Sequence, residues 1–221
     1  MAESSVTGEA LPGLAPSPVT RSSTPLAVLY RRPLMRLFLA IDPTPEVATF
    51  LENERAWWQA RLTDFIWMPS ANYHLTLRFL GELDEAILPA LQAGMARATT
   101  GSAPLALQMT GWGLFPSLQR GRIFWAGVGG DSLADLHSLV VAIHREITAG
   151  ERDKRPFHPH MTLARARKPT QVSGTLLQTR ATLSPPWPVT ALHLYCSHLG
   201  SGPPRYQRLH SESLGKQSAA G

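Results

Sequence analysis

The tetrapeptide His74-Leu75-Thr76-Leu77 returns as His160-Met161-Thr162-Leu163, and each copy alternates a polar with an apolar side chain. In an extended strand, neighbouring side chains point to opposite faces. Each copy therefore predicts a strand with an imidazole and a hydroxyl on one face and two apolar residues buried on the other. Two such strands facing each other enclose a polar slot. One His-x-Thr alone carries little weight, because the branched Cβ of Thr favours strands and a lone strand histidine is usually packing. The repetition, with Arg78 and Arg165 following the two copies, is what predicts a site.

Two histidines in one slot suit transfer at phosphorus. One ring takes a proton from the attacking oxygen while the other supplies one to the departing oxygen, and an unperturbed pKa near ~6.5 allows both roles. No metal or other cofactor is required. Thr76 and Thr162 are placed to donate hydrogen bonds to phosphate oxygens, and Arg78 or Arg165 to offset developing charge. Strand parity puts Arg78 on the face of His74. It puts Arg165 on the face opposite His160, so Arg165 reaches the slot only if the strand ends or bulges there.

Periodicity fills in the rest. Arg36 to Ile41 reads as a strand. Thr44 caps a helix with Pro45 at its first position and Val47, Phe50, Leu51, Glu54, Trp57 and Trp58 at helical spacing. Asp64 to Met68 returns to the sheet, and Tyr73 to Leu80 is the first motif strand, stopped by Gly81. Further elements are a helix from about Pro89 to Ala98, strands Leu105 to Trp112 and Arg122 to Val128, and a helix capped by Asp131 or Ser132. The second motif strand then precedes two late strands, about Val189 to Ser197 and Tyr206 to Ser211. The fold class is α+β, with strands around a helix in each half, a crude duplication.

The size of 221 residues and a hydrophobic share of 43% allow one or two small domains with a real core. A net charge of +5 suits a polyanionic partner, although only three of the 21 basic residues are lysines, a skew that nucleotide composition explains equally well. Cys196 is the only cysteine, which excludes an internal disulfide and predicts a reducing, cytoplasmic setting. No apolar run approaches the ~20 residues of a membrane span, so no membrane partner is expected. Residues 1–33, rich in Ser, Thr, Pro and Gly, read as a disordered extension, 34–211 as the folded domain and 212–221 as a flexible tail.

The motifs sit in a longer likeness. Met35-Arg36-Leu37-Phe38-Leu39-Ala40-Ile41-Asp42-Pro43, Trp67-Met68-Pro69 with Asn72-Tyr73-His74 through Gly81, and Arg155-Pro156-Phe157-His158-Pro159-His160 through Arg165 resemble the signature segments of the 2H phosphoesterase superfamily. Within it they resemble the RNA 2',3'-cyclic phosphodiesterases, or 2'-5' RNA ligase-like proteins. Leu194 to Leu199 and Pro204-Arg205-Tyr206 resemble the closing strands. The resemblance implies two pseudo-symmetric lobes of antiparallel strands with outer helices and a groove between them. It further implies hydrolysis of terminal 2',3'-cyclic phosphates on RNA ends or cyclic nucleotides to 2'-phosphates, with His74 and His160 as the catalytic pair; the chain itself is expected to act as a monomer. Thr76, Thr162 and Arg165 then bind phosphate, with Arg78 a weaker candidate. His74 is expected to protonate the leaving 3'-oxygen and His160 to activate water, with the reverse assignment open, as is 2'-5' ligation. Two other classes stay in view: a metal-dependent phosphoesterase with His74, His158 and His160 as ligands, and a noncatalytic RNA-binding protein. His137 and His144 read as packing or surface residues, His193 and His198 as members of the late strand, and Phe79, Phe115 and Phe157 as core or as base-stacking aromatics.

Overall fold

A computed structural model describes residues 1, 34–151, 155–180 and 184–215. Apart from Met1, the expected extension over 1–33 lies outside these residues, as does most of the expected tail. The strands are β1 (Met35–Ile41), β2 (Phe65–Trp67), β3 (Leu75–Leu83), β4 (Leu105–Phe115), β5 (Gly121–Gly129), β6 (His160–Thr170), β7 (Trp187–Val189), β8 (Ala191–His198) and β9 (Arg205–Ser213). The helices are α1 (Pro45–Gln59), α2 (Leu88–Thr99), α3 (Leu133–Glu146) and α4 (Gly174–Gln178).

The strands form one antiparallel sheet in the order β7-β4-β5-β6-β3-β1-β8-β9, with β2 added on β6. The two lobes are the two halves of this sheet. They meet where the motif strands β3 and β6 touch, through the single register pair Leu75 and Met161. Local chemistry sets the elements much as the periodicity predicts. The Thr44 hydroxyl accepts from the Val47 amide at 3.4 Å, Pro45 opens α1, and Val47, Leu51 and Trp58 turn inward. Leu91 and Met95 of α2 join Leu136, Leu139, Val140 and Ile143 of α3 in the same core, against Leu37, Leu39, Leu75, Leu77, Met161 and Leu163 of the sheet. Burying each such side chain stabilises the fold by roughly 1.5–3 kcal/mol. Glu54, on the buried stripe of α1, is held by two Arg180 hydrogen bonds at 2.7 and 2.8 Å. None of the described helices is long and apolar enough to cross a membrane.

Several expectations are corrected. Gly81 does not end β3: with φ at +77° it takes up a register shift against β1, and pairing continues to Leu83 with Met35. Ser132 precedes α3 but makes no side-chain cap, because its hydroxyl accepts from the Ala106 amide at 3.0 Å instead. The single late strand expected around Val189 to Ser197 is two: β7 pairs with β4 in one half and β8 with β1 in the other. Helix α4 was too short to show a period. β9 keeps its partner to Ser213 and Leu214 is buried, so packing continues past the expected boundary at 211.

Candidate functional site

The pairing of Leu75 with Met161 fixes the site. In an antiparallel register, one step away puts His74 across from Thr162 and Thr76 across from His160, on the face opposite the two buried apolar residues. Side chains directly across a pair stand about 4.5–5.5 Å apart at Cβ. Each motif's threonine thus stands across from the other motif's histidine. The two histidines sense each other, since charge on His160 disfavours charge on His74.

The backbone before His74 is pinned from three sides. The Met68 amide donates to the Leu163 carbonyl at 2.8 Å, Tyr73 donates its hydroxyl to Glu52 of α1 at 2.6 Å, and the Asn72 side-chain amide donates to the Pro204 carbonyl at 2.8 Å. His74 Nδ1–H donates to the Asn72 carbonyl at 2.8 Å, and His160 Nδ1–H to the His158 carbonyl at 2.7 Å. A carbonyl only accepts, so each ring carries its proton on Nδ1 and keeps Nε2 as the free lone pair when neutral. Burial is the main reason both imidazoles hold their second proton less tightly than free histidine, and both carbonyl bonds oppose that effect. Beyond that, Asp42 favours the charged form of His74 while His160 and Arg165 disfavour it, and His158, Arg165 and Arg155 all disfavour that of His160.

The two motifs share a β-bulge that decides the fate of their arginines. Register skips Leu77 in β3, between its pairs Arg78–Leu39 and Thr76–Ala40, and skips Leu163 in β6, between Ala164–Phe124 and Thr162–Trp125. After each skip, parity inverts. Arg165 is therefore exposed on the face of His160 and Thr162, close enough to influence both histidines, and has no protein hydrogen bond or ion pair among the described residues. Arg78 goes the other way. It is 3% exposed and donates to the carbonyls of Ile143, Ile147, Ala149 and Glu151 at the end of α3. Arg78 is thus not among the groups facing the slot, because the bulge spends it on the helix terminus, where cations are favoured. Its exposed successor is Phe79, which stands in the first motif where Arg165 stands in the second. Thr76 and Thr162 are half-buried, and neither hydroxyl has a protein partner among the described residues.

Aromatic rings wall both histidines. His74 lies 4.9 Å from Phe38 and 5.0 Å from Tyr206, centroid to centroid; His160 lies 4.9 Å from Phe115 and 6.1 Å from Trp125. A cavity of about 430 Å³ opens beside His74, lined by Phe38, Asp42, Tyr195, Tyr206 and Arg208 among others. Inside it, Tyr195 donates to both Asp42 oxygens at 2.8 and 2.7 Å, and Arg208 donates to Asp42 as well. Burial and this bond push the Tyr195 hydroxyl up to about 12. The sequence assigns no role to Phe38, Tyr206 or Asp42, although all three lie in the segments that resemble the superfamily. His158 sits 6.3 Å from His160, its ring against Phe115 and Trp125, and among the described residues no three His, Cys, Asp or Glu side chains are placed to hold a metal ion.

An antiparallel sheet of two joined halves, with a His-x-Thr strand from each meeting at its centre, defines a bilobal α+β phosphoesterase-like class. The family model of the 2'-5' RNA ligase superfamily matches residues 51–200, and the chain belongs to that superfamily. It is 31% identical over 200 residues to the RNA 2',3'-cyclic phosphodiesterase of Thermus thermophilus, covering 85% of this chain and 96% of that one. With the Aeropyrum pernix protein of the same name it shares 36% over 98 residues, 43% of this chain. The match spans only 54% of the Aeropyrum pernix protein, and that to the Geobacillus stearothermophilus protein only 41%. Among solved structures, a Thermus thermophilus protein superposes with a TM-score of 0.67 at 29% identity, covering 81% of this chain and 98% of that one. Escherichia coli LigT, crystallised with 3'-AMP, superposes at 0.61 and 25% identity, covering 83% and 99%.

Proposed function

We propose that this protein hydrolyses 2',3'-cyclic phosphates at RNA ends, without a metal, using His74 and His160 as the acid–base pair. The reading is carried by the Leu75–Met161 pair, from which the polar members of both motifs follow on one face, with Thr76, Thr162 and Arg165 having no protein partner among the described residues. The relatives' names and the nucleotide bound by LigT are of the same chemistry. A cyclic phosphodiester is a strained monoanion that needs a proton removed from water, a proton given to one ester oxygen, and donors for its two free oxygens.

His160 takes the proton of the attacking water through Nε2 as the new P–O bond forms. His74 gives a proton to the 3'-oxygen as the P–O3' bond breaks, leaving a 2'-phosphate. The assignment follows the one acid that distinguishes the two: Asp42, though shared with Arg208 and Tyr195, favours protonation of His74, whereas only cations act on His160 and Arg165 acts on both rings. Thr76, Thr162 and Arg165 hold the non-bridging oxygens as charge grows. A 5'-hydroxyl in place of water turns the same step into 2'-5' joining.

The test is product analysis of 2',3'-cyclic AMP and of an oligonucleotide ending in a 2',3'-cyclic phosphate, in excess chelator. A 2'-phosphate product supports the reading. Activity abolished by chelator and restored by metal, or a 3'-phosphate product, overturns it.

A further inference from the structure

The second motif strand does not stop at the slot. Past Arg165, β6 carries Arg167 and Lys168, both exposed, while Ala166 between the two arginines is buried. Alternation puts Arg167 on the side of Arg165, roughly 7 Å along the strand. Beside them lies an open depression of about 730 Å³, lined by Asp64, Phe65, Ile66, Arg167, Lys168 and Thr170 among others. Ile66 is 48% exposed and pairs directly with Arg165, so an apolar surface adjoins the cation. Asp64 is the one acid in this lining, and neither it nor Arg167 has an ion pair or hydrogen bond among the described residues. On the other side of the slot Arg208 is committed to Asp42, and Phe38, Tyr73, Tyr195 and Tyr206 line the cavity beside His74.

We infer that the outer half of β6 is the track for the RNA strand leading to the terminal nucleotide, with Arg167 and Lys168 holding backbone phosphates upstream of the cyclic end and Ile66 lying beneath a ribose or base. The inference rests on the phosphodiesterase reading and names its substrate as an RNA chain in preference to a free cyclic mononucleotide. A polyanion needs cations continuous with the site that grips its last phosphate, and Arg167 and Lys168 continue the strand that carries Arg165, with no protein ion pair among the described residues. Each phosphate neutralised on a single strand adds about 0.7 to the logarithmic salt slope of binding, so two contacts are worth a slope of about 1.4.

The experiment compares wild type, an Arg167→Ala/Lys168→Ala double variant and Asp64→Asn on 2',3'-cyclic AMP and on a short oligonucleotide with a 2',3'-cyclic end. The double variant should lose roughly tenfold in oligonucleotide kcat/KM at moderate salt and much of its salt dependence, with cyclic AMP turnover within twofold of wild type. Asp64→Asn should raise the oligonucleotide value and leave cyclic AMP unchanged. Equal losses on both substrates, or no loss on the oligonucleotide, overturn the track. Fluorescence anisotropy of a 2'-phosphorylated oligonucleotide separates this from the activity itself: weaker binding in the double variant supports the track, and unchanged binding overturns it. Failure of the wild type to turn over either substrate overturns the phosphodiesterase reading alone.

Discussion

Leu75 of β3 pairs with Met161 of β6, and this one contact is both the seam between the halves of the sheet and the approximate centre of their symmetry. Both residues are fully buried, so the seam is held from the core side while the polar members of each motif face outward. Its bearing on chemistry is direct. A slip of one residue in either strand would send its histidine into the core and its apolar neighbour into the slot.

Replacing either His74 or His160 by Ala should lower kcat/KM on a cyclic-ended oligonucleotide by ~10²–10⁴-fold, with the circular dichroism spectrum and melting temperature close to those of the wild type. The double variant should lose little more than the worse single one, because the two act in one step. Near-wild-type rates from both single variants would end the acid–base proposal.

The pH dependence has a defined sign. Burial lowers the proton affinity of both imidazoles. The base must be neutral, which sets the acid limb of kcat/KM, and the acid must be charged, which sets the alkaline limb. Both limbs therefore shift downward, and kcat/KM should peak below the ~6.5 of a free imidazole. The bound anion favours the charged rings, so the kcat profile should lie at higher pH than that of kcat/KM. A stopped assay across pH checks this, and an alkaline optimum for kcat/KM contradicts it.

Arg165 has no protein partner among the described residues to lose, so its substitution should act on turnover and not on folding. Arg165→Ala should cost ~10²–10³-fold in kcat, on the scale of removing one preorganised donor to a developing oxyanion. Arg165→Lys should recover only part of it, because an ammonium keeps the charge without the planar fork. Steady-state kinetics with a thermal melt of each variant separates the two effects.

Arg78 should behave in the opposite way. Arg78→Met leaves the carbonyls of Ile143, Ile147, Ala149 and Glu151 without their buried donor. The expected loss is about 2–4 kcal/mol in urea unfolding, with kcat/KM of the folded protein within a few fold of the wild type. A selective rise in KM without loss of stability would return Arg78 to the phosphate site.

The motifs, their polar-face parity and the amphipathic pattern of α1 and α3 were legible because each depends on neighbours within a few residues. The capping by Thr44 and Pro45 is of the same kind. What strand parity misassigned was the pair of arginines. Strict alternation favoured Arg78 and turned Arg165 away; the family likeness favoured Arg165, and the bulges at Leu77 and Leu163 are what reconcile it with geometry. A bulge leaves no mark in a hydrophobic pattern, since the skipped residue is as apolar as its neighbours. Ser132 shows the same limit, its hydroxyl taken by a strand amide distant in sequence.

By itself, then, the chain determined which side chains are available and which face of each motif strand is polar, because backbone geometry imposes a period of two on any extended segment. Tertiary structure alone decided that the two motifs abut in one sheet, that each threonine stands across from the other motif's histidine, and that one arginine faces the slot while the other braces a helix end. Those outcomes depend on register and on where the ladder is interrupted, and both are set by contacts between residues far apart in the sequence.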